Sequence, residues 1–187
     1  MNLVQEMPKL LTLARLSEAV ERLSGLFEMM RRQPGFLSAE VLQNVASPAT
    51  LLVLHAWRDL ADWQTYQNSP EKLAFTAGRS EGLYDMVPCG MNWRSLQADG
   101  AREGAMLRRE VVRAEAPLHH GAGIAGCQTF VYQDDLPAYQ GCTLRLTRLR
   151  DAALSAADPN RAAIVDDLYE SLVLVRASAV SEPAALS

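Results

Sequence analysis

The chain has 187 residues, 49% of them apolar and 21% charged, which is ordinary for a globular protein of one domain or two small ones. A net charge of -4 and a pI near 5.4 argue against a nucleic-acid surface, and no apolar run nears the ~20 residues of a membrane-crossing helix. Residues 1–8 lack a basic segment followed by an apolar one, so no secretory leader is expected, and Cys89, Cys127 and Cys142, odd in number and far apart, fit buried thiols in a reducing cytoplasm better than a disulfide frame or zinc site.

Residues 9–16 form an apolar-rich run of strand length. Ser17 is a good N-cap, with Glu18 and Glu21 complementing the helix dipole. Val20, Leu23, Phe27 and Met30 follow at helical spacing, and Pro34-Gly35 stops the helix. Residues 36–44 and 50–57 read as two strands of an antiparallel hairpin turning at Ala46-Ser47-Pro48-Ala49. Asp59 caps a second helix, Pro70 restarts it at a first helical position, and it is expected to run to about Tyr84. Residues 87–96 form the last strand of this half. The order strand–helix–strand–strand–helix–strand is ferredoxin-like.

Residues 97–104 are a polar linker. Strands are expected over 105–115, 127–134, 141–149 and 171–179, with a helix over 151–158 and 159–169, broken at Pro159. The segment 116–125, with His119 and His120, is too short and Gly-rich for the helix expected there. The two halves also match in order: residues 52–59 against 144–151, 13–18 against 111–115, and 83–85 against 168–170. The expected fold is therefore α+β. Two ferredoxin-like units stand in tandem, with antiparallel sheets facing each other as an intrachain α+β barrel. The second unit lacks a helix over part of its outer face, and a homodimer is expected to cover it.

Gln33-Pro34-Gly35-Phe36-Leu37, the strand Leu52 to Trp57, and Ala61-Asp62-Trp63 with Asn68-Ser69-Pro70 resemble the antibiotic-biosynthesis-monooxygenase (ABM) family of the dimeric α+β barrel superfamily. The resemblance covers about residues 8–97. It implies an ABM-like unit over residues 1–98 and a second, degenerate unit over 99–187 with its first helix shortened or lost. Some members of the family oxidise polyketide-like phenols with O₂ and no cofactor, some bind and degrade haem, and others have no known activity. The implied function is a cofactor-independent monooxygenase taking a small aromatic molecule in the barrel cavity. The alternatives are a haem-binding or haem-degrading protein that uses a histidine in an unusual place, such as His119 or His120, and a non-catalytic small-ligand-binding barrel. In the haem degraders, a Trp matches Trp63. Their axial His aligns with Thr76, which cannot replace an imidazole, and their first-strand Asn falls near Leu13 or Ala14.

His55 shares a strand face with Leu51, Val53 and Trp57. It is a candidate general base in the barrel cavity, or else a core histidine bonded to a backbone carbonyl. Asn92 is a candidate catalytic donor to substrate oxygens, and Trp93 a substrate contact, unless both belong to an ordinary half-buried strand. Trp63 and Tyr66, three apart on a helix, either wall a flat ligand or pack in the core. Trp57 reads as packing. His119-His120 lack a third ligand nearby, so no metal site is expected.

Overall fold

All seven residues of the strand Leu51–Trp57 are buried. Successive side chains of a strand point to opposite sides, so two apolar layers must cover this one. The computed structural model, which describes residues 1–77, 83–85, 91–97, 106–113, 127–134, 137–149 and 163–177, shows both layers.

The elements of the first half are β1 (Asn2–Glu6), β2 (Lys9–Leu10), α1 (Leu16–Met30), β3 (Phe36–Asn44), β4 (Leu51–Trp57), α2 (Leu60–Gln67), α3 (Pro70–Ala77), β5 (Tyr84–Asp85) and β6 (Met91–Gln97). Those of the second half are β7 (Met106–Arg113), β8 (Cys127–Tyr132), β9 (Cys142–Leu149) and β10 (Ala163–Arg176). Eight strands close a barrel in the order β1-β4-β3-β10-β7-β9-β8-β6. Every pairing around it is antiparallel. Within each half the order is the same, β6-β1-β4-β3 and β10-β7-β9-β8. The α+β barrel closes within one chain because β3 pairs with β10 and β6 with β8.

The inner layer holds Leu52, Leu54 and Ala56 of β4 with Leu3, Leu42, Trp93, Leu107, Phe130, Leu144 and Tyr169. The outer layer holds Leu51, Val53 and Trp57 against Ala19, Leu23, Leu26, Phe27 and Met30 of α1 and Tyr66 of α2. Full burial of one such large apolar side chain contributes about 1.5–3 kcal/mol. The expected stripe on α1 thus holds at Leu23, Phe27 and Met30, while Val20 is only half-buried beside Ala19.

The hairpin β3–β4 and the caps of α2 and α3 stand where the sequence places them. Asp59 accepts the Asp62 N–H at 2.9 Å, and Pro70 opens α3. Gly35, at φ 77°, turns the chain from α1 into β3.

Several expectations are corrected. The first barrel strand is Asn2–Glu6, not residues 9–16. The later run holds only the two-residue β2 and a 3-10 turn at Leu13–Arg15, and its Leu11 and Leu13 are exposed. Helix α1 is entered from that turn with Arg15, not Ser17, at the N-cap. Arg15 instead pairs with Glu18 across the first turn at 2.7 Å. The second helix does not reach Tyr84, which lies in β5 and pairs with Leu10.

The largest correction is at the C-terminal end. A helix was expected over 159–169, but residues 163–176 form one 14-residue strand. Its first part pairs with β7 and its second with β3, across a bulge between Ser171 and Val173. Without it β3 would present a bare edge, and Ile164, Val165 and Tyr169 favour strand locally. Of the three matched runs, residues 52–57 and 144–149 lie in the equivalent strands β4 and β9. Residues 83–85 and 168–170 do not occupy equivalent places, nor do 13–18 and 111–113. The segments 116–125 and 151–158 lie outside the described residues.

On the outward face of the second half, Arg108, Glu110, Val112, Thr143 and Thr147 are buried within the single chain.

Candidate functional site

Strands β1 and β4 are neighbours at the middle of the first sheet, with Val4 opposite His55 and Glu6 opposite Val53. Glu6 and His55 therefore lie diagonally on one face, the face beneath the helices. Placing His55 in the barrel cavity is thus corrected: it shares the outer layer with Trp57 and Tyr66. The Glu6 carboxylate Oε1 lies 3.5 Å from His55 Nε2, and the His55 side chain is wholly buried.

The Trp57 indole N–H donates to His55 Nδ1 at 2.8 Å. An indole nitrogen only donates, so Nδ1 must be the acceptor, and a neutral His55 carries its proton on Nε2. That nitrogen is the one near Glu6, at a distance that makes no hydrogen bond. The Trp57 ring stacks on Tyr66 at 5.1 Å and meets Phe36 edge-on at 5.6 Å. Burial, reinforced by the Glu6 charge, pushes the Tyr66 phenol well above its ordinary pKa, so the group stays protonated. Trp63, one turn earlier on α2, packs against the same layer. His55 Nε2, Tyr66 OH and Trp63 Nε1 are all buried and meet no hydrogen-bond partner among the described residues. Buried polar atoms are ordinarily satisfied, so three such donors in one layer mark a place where a ligand could be bonded.

Asn92 is not part of this group. Val4 stands between it and His55 in register, so the two are separated by two strand spacings, roughly 10 Å. Its amide donates to Asp134 Oδ1 at 2.9 Å, and its carbonyl oxygen accepts from Asn2 at 3.1 Å. Its backbone N–H donates to Asp134 Oδ2 at 2.6 Å. These bonds clamp the β1–β6 edge to the turn after β8. Trp93 points the other way, into the barrel, in contact with the rings of Tyr132 and Tyr139 at 5.1 and 6.4 Å. The expected site residues are therefore split between the two sides of the sheet.

Glu6 escaped the sequence reading because residues 1–8 carry no long periodic run. Its signal was the spacing of two from Val4. The buried charges of the barrel escaped too. Arg109 donates to Gln5 at 3.1 Å and pairs with Asp167 at 3.3 Å, and Arg148 forms a two-point pair with Glu40. A cleft of about 50 Å³ opens beside the second pair.

Among the described residues the one histidine is His55, which is wholly buried and held between Trp57 and Glu6, so none of them presents an open imidazole to haem iron. No three His, Cys, Asp or Glu side chains cluster for a metal among the described residues. His119, His120 and Cys89 lie outside the described residues. Cys142 is buried inside the barrel, and burial pushes its thiol pKa up.

Residues 14–78 match the family model for antibiotic biosynthesis monooxygenase, ABM. The ABM segment runs from the turn before α1 to the end of α3, and it contains His55, Trp57, Trp63 and Tyr66. Glu6 lies just before it. Three solved structures share the whole fold. A candidate monooxygenase from Fusobacterium nucleatum superposes with a TM-score of 0.61 at 8% identity, over 94% of both chains. One from Lactobacillus acidophilus gives 0.59 at 6% identity, over 94% of this chain and 97% of that one. An anthrone oxidase-like protein gives 0.60 at 10% identity, over 94% and 93%. Identities this low establish likeness of fold alone. No protein of curated function matches the chain. No helix among the described residues is long and apolar enough to cross a membrane.

Proposed function

We propose that the protein is an ABM-type monooxygenase that oxidises a small, electron-rich aromatic molecule with O₂ and no cofactor, in the layer between the first sheet and its helices. The observation that carries this reading is the group of half-buried Glu6 with buried His55 and Tyr66, in which His55 Nε2 and Tyr66 OH make no hydrogen bond among the described residues. The ABM match and the candidate monooxygenases of the same fold support the reaction class.

In this reading Glu6, not His55, is the base, because Trp57 occupies the Nδ1 lone pair. Glu6 takes the acidic proton of a phenol or of the methylene tautomeric with it. The N–H of His55, the OH of Tyr66 and the N–H of Trp63 hold the resulting oxyanion. The substrate carbanion passes one electron to O₂, and the radical pair combines to a peroxide. Loss of water then converts the methylene to a carbonyl. One oxygen atom stays in the product and the other leaves as water. All four electrons come from the substrate, so the reaction balances without another reductant.

The test is oxygen uptake with anthrone- and naphthol-type phenols, with ¹⁸O₂ tracing the inserted atom. Uptake of one O₂ per substrate, a labelled carbonyl, and a loss of about 10²–10⁴-fold in kcat for Glu6→Gln are expected. No uptake across the panel, or an unchanged Glu6→Gln enzyme, would overturn the reading. A non-catalytic barrel is the second reading, favoured by an interior filled with Leu, Phe and Trp side chains.

A further inference from the structure

The barrel contains a second place where a ligand could be held, on the other side of the sheet from Glu6 and His55. The cleft is walled by Leu54, Leu107 and Leu146, all buried, and it opens beside Leu174 and Arg176, which are exposed. Three charged side chains line it. The carboxylate of Glu40 meets Arg148 at two points, which cancels that pair. Arg176 is then the surplus positive charge among the lining side chains. Gln128 also lines the cleft, and its Nε2 is buried with no hydrogen-bond partner among the described residues. A guanidinium at the mouth and an unmet amide N–H sealed in the wall of an apolar pit make a receptor for one negative charge with a short apolar tail.

Size narrows the class. The cleft measures about 50 Å³ on the scale where one water needs about 10–15 Å³. It therefore takes roughly three to five non-hydrogen atoms and cannot take a polycyclic phenol. We propose that this cleft binds a short monocarboxylate of the acetate–propionate class, its oxygens on Arg176 and Gln128 and its tail against Leu54, Leu107 and Leu146.

The site is independent of the oxygenase reading, and its test needs no turnover. Methyl NMR of the full chain is recorded during titration with propionate at constant ionic strength. Saturable shifts are expected at the Leu54, Leu107 and Leu146 methyls. Neutral propionamide should bind at least about tenfold more weakly, as should Arg176→Gln and Gln128→Leu with propionate. Arg176 is exposed, so its replacement leaves the fold intact, and an unperturbed spectrum of the free variant checks this. Hexanoate, too long for the pit, should bind more weakly than propionate. Absence of saturation up to about 100 mM, far beyond a millimolar Kd, would overturn the proposal. So would equal binding of propionamide, or an Arg176→Gln titration that matches wild type.

Discussion

The indole N–H of Trp57 and the Nδ1 of His55, two residues apart on one face of β4, are joined by a buried 2.8 Å hydrogen bond. This bond sets which nitrogen of His55 carries the proton, and so which atom faces Glu6. Nitrogen NMR of the imidazole should show the Nε2–H tautomer. Trp57→Phe should abolish that preference and leave Nδ1 a buried acceptor without a donor, at a cost of about 1–3 kcal/mol in urea unfolding. An Nδ1–H tautomer in the native protein would contradict the arrangement.

Gly35 has φ 77°, and a Cβ there would collide with the Asp62 carboxylate. Rotating the Asp62 carboxylate alone does not clear the space, because the Asp62 Cβ would also lie 2.7 Å from the added Cβ. Gly35→Ala should therefore destabilise the fold by more than the ~1–2 kcal/mol of the backbone conformation alone. In an Asp62→Gly background the excess should vanish. Denaturant midpoints of the four proteins in this cycle decide it, and equal penalties in both backgrounds would remove Asp62 from the account.

Asn92 joins Asn2 to Asp134, and these bonds predict that it acts as a clamp. Asn92→Ala strands the buried Asn2 amide, so a loss of about 1–3 kcal/mol in stability is expected with kcat unchanged below the melting temperature. Thermal unfolding and oxygen uptake are measured on the same samples. Native stability combined with a large kcat loss would return Asn92 to the chemistry.

Tyr66 and Tyr169 both have phenols whose pKa is raised by burial. The unfolded chain ionises its tyrosines near pH 10, before the folded one does. The stabilising contribution is thus complete below about pH 10 and is lost as pH climbs from there toward the folded values. Unfolding free energy should fall between about pH 9 and 11, and Tyr66→Phe should make that fall shallower. A slope identical to wild type would mean that Tyr66 ionises freely in the folded state.

The parts of the fold that were readable share a cause. Strand β3, strand β4 and the starts of α2 and α3 are bounded by Pro34-Gly35, Asp59 and Pro70, signals that act within a few residues. Strand β1 was missed because five residues ahead of Pro8 give too short a pattern to separate from a tail. Strand β10 was misread because a stretch such as Ile164-Val165-Asp166-Asp167-Leu168-Tyr169 suits either period. Its state is settled by the two strand edges it joins. The candidate site shows the same division. His55, Trp63 and Tyr66 were legible as a buried imidazole and a helical aromatic pair, while Glu6 was not.

By itself, the sequence determined the α+β class, the β3–β4 hairpin, and the fact that His55 shares a face with Val53 and Trp57, because a strand alternates its side chains whatever surrounds it. Which layer that face meets was decided only by the tertiary structure. Both faces of β4 are apolar, so alternation cannot tell the barrel interior from the helix side. The pairing of Glu6 with His55, the two-point contact of Arg148 with Glu40, and the closure of the barrel by β10 join residues far apart in the chain. Such contacts follow from which strand edges remain to be paired once the sheets form, and no local pattern carries that information.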